Sequence, residues 1–212
     1  MTLYTTNPTD FGTTVIEWNL VTNTARAESP WSLEDVVQVF DGEKWAGTAS
    51  IMPVTRIEAR AFSAWLAQVQ GRRHVFFFGD PDRAVPLGGA ALDPGSPVID
   101  GGGQTGREVL LKNADPNITD WLLAGDHIQL GNGIQSRLHM VLENCSTDGS
   151  GGVTVKIWPK LRGETVGGTI VKVLNPVGVF ALARPVNGWS TRAPSIDEPF
   201  PLQVREVVDQ TV

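Results

Sequence analysis

The stretch VTRIEARAFSAWLAQVQG, residues 54–71, is the part of the chain with the clearest helical pattern. Thr55 and Glu58 have the spacing of a capping box, in which each side chain accepts a hydrogen bond from a backbone N–H near the helix start. Apolar side chains recur at helical spacing and predict one broad buried face, which consists of Ile57, Ala61, Phe62, Trp65, Leu66 and Val69. Gly71 favours the left-handed conformation that ends many helices. The stretch therefore predicts one principal helix over residues 55–70.

A sheet must cover that face, because most of the remaining sequence has the pattern of strands and turns. Phe76 and Phe78 belong to an apolar segment, residues 72–79, that directly follows the helix. Aromatic and β-branched side chains favour strands, so this segment predicts a strand with both faces covered. We expect Phe62 and Trp65 of the helix to pack against it.

The sequence before the helix predicts a strand, a loop and a hairpin. Residues 13–20 mix Thr, Val, Ile and Trp and predict a strand, whereas residues 21–30 are polar and irregular and predict an exposed loop. The dipeptide Asp41-Gly42 lies between the apolar segments 36–40 and 43–51. Because this dipeptide readily adopts the positive φ angles of a tight turn, it predicts a β-hairpin at that point.

The segment after Asp80, residues 81–106, is rich in proline and glycine and lacks a periodic apolar pattern. Long segments without regular structure are uncommon inside compact domains. We expect an extended arm that lies at least partly against an adjacent subunit or another protein, because ordering it alone gains too little. Removal of residues 84–100 is therefore expected to spare folding of the subunit and to weaken its assembly.

Five short strand patterns follow this segment and predict a small barrel or sandwich. They cover residues 108–112, 126–130, 138–144, 153–158 and 169–174, and two further strands are predicted at residues 177–183 and 202–208. The order favours an inserted domain of residues 83–174, which includes most of the proline- and glycine-rich segment, within a first domain of residues 1–82 and 175–212. The last strand would close an otherwise open sheet edge of the first domain. The predicted fold class is mainly β with one principal helix.

The composition of the 212-residue chain argues against several classes of protein. Its net charge of -6 and its scattered basic residues argue against a large nucleic-acid-binding surface. Cys145 is the only cysteine, so neither an intrachain disulfide nor a cysteine zinc site can form. The amino-terminal residues lack a signal-peptide pattern, and the longest apolar runs are too short to cross a bilayer. We expect a soluble globular protein without membrane insertion.

No motif in the sequence predicts catalysis, a cofactor or a metal site. Residues 101–106 match G-x-G-x-x-G, but a strand pattern follows them instead of the helix that dinucleotide binding requires. His74, His127 and His139 are isolated in the sequence from other metal-ligating side chains. The G-x-S-x-G pattern of a hydrolase nucleophile is absent. We therefore predict a protein that is not an enzyme, with no catalytic, cofactor-binding or metal-binding residue.

The seven tryptophans leave a second function open. An exposed tryptophan on a β-scaffold can stack on a sugar, and Trp189 lies in a predicted loop that permits this. Packing in a core or at a subunit interface explains tryptophan more often. A carbohydrate-binding module on a β-sandwich is therefore an alternative to a structural protein.

Several short motifs occur in the order found in a tail protein of long-tailed bacteriophages. They are Trp45-Ala46-Gly47, Ile51-Met52-Pro53, Arg56-Ile57-Glu58-Ala59, Ala64-Trp65-Leu66, Gly71 and Phe76-Phe77-Phe78-Gly79-Asp80-Pro81. The series continues with Gly125-Asp126, Leu138-His139, Pro159-Lys160-Leu161-Arg162 and Pro176-Val177-Gly178-Val179-Phe180. These motifs cover most of residues 43–182 and are specific only in combination. The sequence most resembles the distal tail protein, which joins the tail tube to the tip.

The resemblance implies a structural protein of the virion tail, assembled in the cytoplasm of the bacterial host. It implies a first domain similar to the tail-tube fold, a β-sandwich or barrel flanked by one helix, with a small inserted β-barrel-like domain. Such proteins form homo-oligomeric rings, usually hexameric, around the DNA channel. They contact the tail tube protein on one side and the tape-measure and hub or tip proteins on the other.

The negative charge has a physical use on this interpretation. An acidic channel wall lets DNA pass without adhering, because binding by counterion release needs basic side chains. No sequence-specific binding of nucleic acid is implied. Another minor tail or hub protein of the same particle is the alternative within this class.

Overall fold

The computed structural model describes residues 1–28, 30–31, 35–53, 55–185, 188 and 199–208. Within this part of the chain the backbone forms one α-helix, α1 (Arg56–Val69), four short 3-10 helices and twelve β-strands. In chain order the strands are β1 (Leu3–Tyr4), β2 (Thr13–Glu28), β3 (Asp35–Met52), β4 (Val75–Phe78), β5 (Val98–Ile99), β6 (Gly106–Lys112), β7 (His127–Leu130), β8 (Arg137–Val141), β9 (Val153–Leu161), β10 (Val171–Lys172), β11 (Gly178–Leu182) and β12 (Phe200–Glu206). The prediction of a mainly β fold with one principal helix is confirmed.

Two six-stranded sheets contain all of these strands. The first has the spatial order β1-β4-β11-β12-β3-β2, in which β1 and β4 are parallel and the other neighbours are antiparallel. The second has the order β10-β7-β8-β9-β6-β5 and is antiparallel throughout. The strands of the second sheet are contiguous in the chain, and β11 and β12 return to the first. Whether the two sheets belong to separately folding domains stays a prediction.

Hydrogen bonds between the two ends of the second sheet bring it close to a closed barrel. The N–H of Ile99 donates to the carbonyl of Thr169 at 2.9 Å, and the N–H of Val171 donates to the carbonyl of Pro97 at 3.0 Å. The first bond joins β5 to the segment that precedes β10, and the second joins β10 to the segment that precedes β5. The predicted small barrel is therefore confirmed.

The helix begins with the capping box that the sequence predicts. The N–H of Glu58 donates to Oγ1 of Thr55 at 3.2 Å, and the N–H of Thr55 donates to Oε2 of Glu58 at 2.9 Å. At the other end Gln70 already adopts the left-handed conformation, with φ of 52°, and Gly71 follows with φ of 65°. The left-handed helix end predicted at Gly71 therefore includes Gln70 as well.

The buried face of the helix is narrower than predicted. It consists of Phe62, Trp65, Leu66 and Val69, whereas Ala61 is exposed and Ile57 retains 81% of its accessible surface. At 100° per residue, Ile57 lies about 130° from the centre of the buried arc, so it points away from the sheet. The inclusion of Ile57 and Ala61 in the buried face was therefore wrong.

The helix packs against the first sheet through aromatic rings, as predicted. The ring centroid of Trp65 lies 5.0 Å from that of Phe76, and the centroid of Phe62 lies 4.9 Å from that of Phe200. Phe78 is fully buried in the same core. Burial of aromatic area supplies most of the free energy that holds a helix of this kind in place.

We expect Thr55→Ala to lower the free energy of unfolding by about 1 kcal/mol, because it removes one capping hydrogen bond. Urea denaturation measures this difference. Gln68→Ala is the control, since Gln68 is exposed on the same helix and its side chain caps nothing. Equal effects of the two substitutions would contradict the role of Thr55.

The predicted hairpin at Asp41-Gly42 is wrong. Instead, β3 continues through this dipeptide and pairs with β2 along almost the whole length of both strands. The register shifts between Val21 and Asn23, which marks a β-bulge opposite the dipeptide. Gly42 has φ of 149°, so its conformational freedom serves a bulge rather than a turn. The predicted loop that begins at Val21 is also wrong, because β2 continues to Glu28.

The segment of residues 81–106 folds back onto the barrel, so its prediction as an extended arm is wrong. The N–H of Ala90 donates to the carbonyl of Trp121 at 2.9 Å, and both Ala90 and Ile99 are buried in the barrel core. A Cβ added at Gly88 would lie 2.5 Å from that same carbonyl oxygen, so glycine permits the close approach. A deletion here removes core side chains, and we expect it to unfold the subunit rather than to spare its folding.

Strand β8 contributes to the two larger hydrophobic cores in the described part of the chain. Leu138 packs with Trp45 and Trp158 in the core of the first sheet, whereas Val141 packs with Ile128 in the core of the barrel. Successive side chains of a strand point to opposite faces, so one strand contributes to both cores. The barrel is thereby packed directly against the first sheet.

Candidate assembly surface

The far half of the β2–β3 hairpin forms a two-stranded ribbon that the rest of the described chain leaves uncovered. We define the arm as residues 22–28 of β2 and residues 35–40 of β3, and every residue in it is exposed. Its large apolar side chains are Val36, Val37, Val39 and Phe40. Val39 retains 70% of its accessible surface. In the connection between the strands, Trp31 retains 95%.

Apolar side chains lie on both faces of the arm. In an antiparallel pair, residues directly opposite each other share a face, and the faces alternate along the strand. The pairs that contain Val36 and Phe40 therefore lie on one face, and the pairs that contain Val37 and Val39 lie on the other. An isolated two-stranded ribbon is marginally stable at best in water. The arm therefore presents apolar surface on both faces within the described part of the chain.

Charges on the arm contribute little to its stability. Arg26 forms an ion pair with Asp35 across the two strands. The hydrogen bond with Asp35 raises the pKa of Arg26 above its ordinary value. Exposed pairs of this kind are screened by solvent and salt. The ion pair between Arg26 and Asp35 therefore adds little to the stability of the arm, whose apolar side chains stay exposed.

The outer edge of β2 is a second uncovered feature. In the described part of the chain β2 pairs with β3 alone, so its other side presents unpaired backbone groups along a strand of 16 residues. Val15 and Leu20 on this strand are also exposed. Native proteins usually cover or interrupt long free edges, because such edges pair readily with another strand. The edge and the arm together form a continuous surface suited to contact with another chain.

Buried charges fix the base of the arm to the barrel. Glu43 lies between the arm and the part of β3 that pairs with β2 from Lys44 onward. It forms an ion pair with Arg107 and accepts a hydrogen bond from the N–H of Lys160 at 3.0 Å. Glu206 of β12 pairs with Arg162 and accepts from the N–H of Trp45 at 3.0 Å. The carboxylate of Glu206 is fully buried, so removal of Arg162 would leave an uncompensated buried charge, whereas Arg107 is half-exposed and its pair with Glu43 is weaker.

A second junction lies around His127. The indole N–H of Trp18 donates to Oδ2 of Asp80 at 2.9 Å, and Arg83 pairs with that carboxylate at 3.2 Å. Nε2 of His127 lies 3.5 Å from Arg83, whereas its Nδ1 is buried without a partner among the described residues. Burial, and then the charge of Arg83, lowers the pKa of His127 to about 3. The imidazole is therefore neutral at pH 7 and serves packing between the two sheets.

The structure leaves the three histidines apart. His74 accepts a hydrogen bond from the N–H of Thr2 at 3.0 Å, while His127 and His139 lie on different strands of the barrel. Within the described residues, no three His, Cys, Asp or Glu side chains are placed to hold a metal ion. Trp189, considered above as a sugar platform, lies outside the described residues.

The glycine-rich motif at residues 101–106 is part of a turn. The N–H of Gly103 donates to the carbonyl of Thr165 at 2.8 Å, and β6 rather than a helix begins at Gly106. That the motif at residues 101–106 binds no nucleotide stays a prediction.

No helix in the described ranges is both long enough and apolar enough to span a membrane.

Comparison with known proteins adds no relative on which to argue. A scan against protein-family models finds no match, and a search among curated proteins finds none. The sequence does not predict the arm, because the polar residues 21–30, which contain its first strand, predict an exposed loop instead. The β-branched run Val36, Val37 and Val39 indicates the second strand of the arm, and no comparable run marks the first.

Proposed function

We propose that this chain is a structural ring subunit at the distal end of the tail of a long-tailed bacteriophage. In that role it connects the tail tube to the tail tip or baseplate hub around the DNA channel. The observation that carries the proposal is the arm, whose apolar side chains are exposed on both faces. The motifs within residues 43–182 that resemble distal tail proteins supply the biological setting.

A closed ring provides the cover that the arm lacks. In a heterologous contact, one surface of each subunit meets a different surface of the next, and rotation closes the ring. Each arm then lies against neighbouring subunits, and the free edge of β2 is covered in the same contact. We propose six copies, because rings of this class are usually hexameric.

The proposed ring has a partner on each side. The tail tube protein docks on one face, and the tape-measure and hub or tip proteins dock on the other. The chain has no enzymatic role, cofactor or metal in this function. Its net charge of -6 disfavours adhesion of DNA to the channel wall.

The mass of the purified protein tests the proposal. We expect sedimentation to give six times the chain mass of 22.9 kDa. The double variant Val37→Asp with Val39→Asp places charges on the arm, and we expect it to weaken assembly at least about tenfold. Because both positions are exposed in the single chain, folding of the subunit is expected to be unchanged.

Leu87→Asp with Leu92→Asp is the matched control, since both leucines are exposed and lie outside the arm. Equal loss of assembly in the two double variants contradicts the role of the arm. A wild type that stays at 22.9 kDa at all concentrations contradicts the ring. A monomer that binds glycans favours the carbohydrate-binding module, and one that assembles only with another tail component favours a minor tail or hub protein.

A further inference from the structure

The mouth of the barrel contains a cavity that the ring does not require. Its volume is about 410 Å³, and it opens where β7 ends and β8 begins. Ile99, Leu130 and Leu161 form an apolar wall, and Gln135 and Glu164 contribute polar groups. Small-molecule sites commonly combine an apolar lining with a few polar groups in a volume of about 300 to 1,000 Å³.

His139 supplies a polar group in this cavity whose hydrogen bonding is incomplete. The residue lines the cavity, and only 3% of its surface is accessible. Nδ1 lies 2.7 Å from the carbonyl oxygen of Pro159 and must donate to it, because a carbonyl can only accept. Nε2 is therefore the acceptor of the neutral ring, and it has no hydrogen-bond partner within the described chain. This atom is not sealed in the interior of the described chain, so a hydroxyl donor from a ligand or water in the cavity can reach its lone pair.

The surroundings keep His139 in this neutral state. Burial is the main cause that lowers its pKa to about 3, and the charges of Arg162 and Arg137 lower it further against the bond to Pro159. At pH 7 the ring therefore offers a lone pair to a hydroxyl or amide donor.

The charges around the cavity disfavour both kinds of ion. Arg162 is already paired with Glu206, and the carboxylate of Glu164 at the cavity opposes an anion. A cation would meet Arg137 and Arg162 in the same lining. A neutral ligand avoids both conflicts.

We infer that the barrel mouth binds a neutral, hydroxyl-bearing small molecule of sugar size. One hydroxyl of the ligand donates to Nε2 of His139, and the less polar side of the ligand packs on Ile99, Leu130 and Leu161. The described lining contains no Phe, Tyr or Trp side chain, so recognition depends on this hydrogen bond and on apolar contact rather than on stacking. The inference does not depend on the proposed ring.

Titration with N-acetylglucosamine, glucose and glycerol tests the inference, with the ¹⁵N chemical shift of Nε2 in His139 as the readout. N-acetylglucosamine combines hydroxyls with an apolar methyl group, and we expect it to give a saturable shift with millimolar affinity. Val166→Trp places a bulky ring in the lining at a position that is 73% exposed, so folding should tolerate it. We expect this variant to weaken binding at least about tenfold.

Leu142→Trp is the control, because Leu142 is exposed and does not line the cavity. Retained binding in this variant and loss in Val166→Trp support the site. The titration is repeated on the double aspartate variant of the arm, so that failure of the ring and failure of this site are distinguished.

Three results would overturn the inference. The first is no saturable shift of His139 with any of the three probes. The second is equal loss of binding in the two tryptophan variants. The third is a shift of His139 on self-association without a probe, which assigns the mouth to a group from a neighbouring protein.

Discussion

Replacing Trp45 with alanine is expected to lower the free energy of unfolding by about 4 kcal/mol, a large part of the net stability of a domain. The side chain is almost fully buried, and its ring centroid lies 4.7 Å from that of Trp158 and 5.1 Å from that of Trp18. Its indole N–H also donates to the carbonyl of Leu138 at 2.9 Å. Truncation therefore removes packing between β3 and the barrel and leaves that buried carbonyl without its donor.

Urea denaturation at pH 7 measures the effect, and Trp31→Ala is the matched control. Trp31 is the same residue type in an exposed position, so its truncation should change the stability of the single chain by less than about 0.5 kcal/mol. The measurement belongs at concentrations below assembly, because a ring would stabilise the subunit by mass action. A loss for Trp45→Ala as small as that for Trp31→Ala would show that the packing between the two sheets is not required.

The helix was predictable because its signals are local. Thr55 and Glu58 interact within one turn, and Phe62 and Trp65 lie at adjacent positions of a helical face. The predicted face is broader than the buried one because apolar residues at its margin remain exposed. Ile57 shows that apolar character alone does not bring a side chain into contact with the sheet.

The bulge at Asp41-Gly42 and the fold of the segment that follows Asp80 were not predictable from local signals. The conformation of Gly42 suits a turn or a bulge, and the choice depends on whether β2 continues beyond Val21 as a partner. Likewise, Ala90 is ordered by a hydrogen bond to Trp121, about thirty residues away in the chain. Pairing over such distances is decided by the whole sheet rather than by turn propensity.

The arm and the cavity differ in how much of each can be predicted from the sequence. The run Val36, Val37 and Val39 predicts a strand, but its exposure depends on the length of the neighbouring strands. His139 is isolated in the sequence, and its incomplete hydrogen bonding appears only when β8 places it at the barrel mouth beside Pro159. Neither the arm nor the cavity has a sequence motif of its own.

Lowering the pH from 7 to 5 is expected to destabilise the folded chain by about 4 kcal/mol through its two buried histidines. Burial lowers the pKa of His127 and of His139 to about 3, whereas histidine in an unfolded chain titrates near 6.5. Between these values the unfolded chain binds protons that the folded chain excludes. The stabilisation is therefore complete above pH 6.5 and is lost progressively as the pH falls toward 3.

The variants His127→Asn and His139→Gln separate this effect from that of the carboxylates. Each histidine contributes a slope of about 1.4 kcal/mol per pH unit below pH 6.5, so each variant should lose about half of the histidine contribution. Stability is measured by urea denaturation at pH 7, 6 and 5, and each variant is compared with itself, which removes its constant loss at neutral pH. Because carboxylates titrate in the same direction only at lower pH, a slope between pH 6.5 and 5 that is as steep in both variants as in the wild type would assign the destabilisation to other groups.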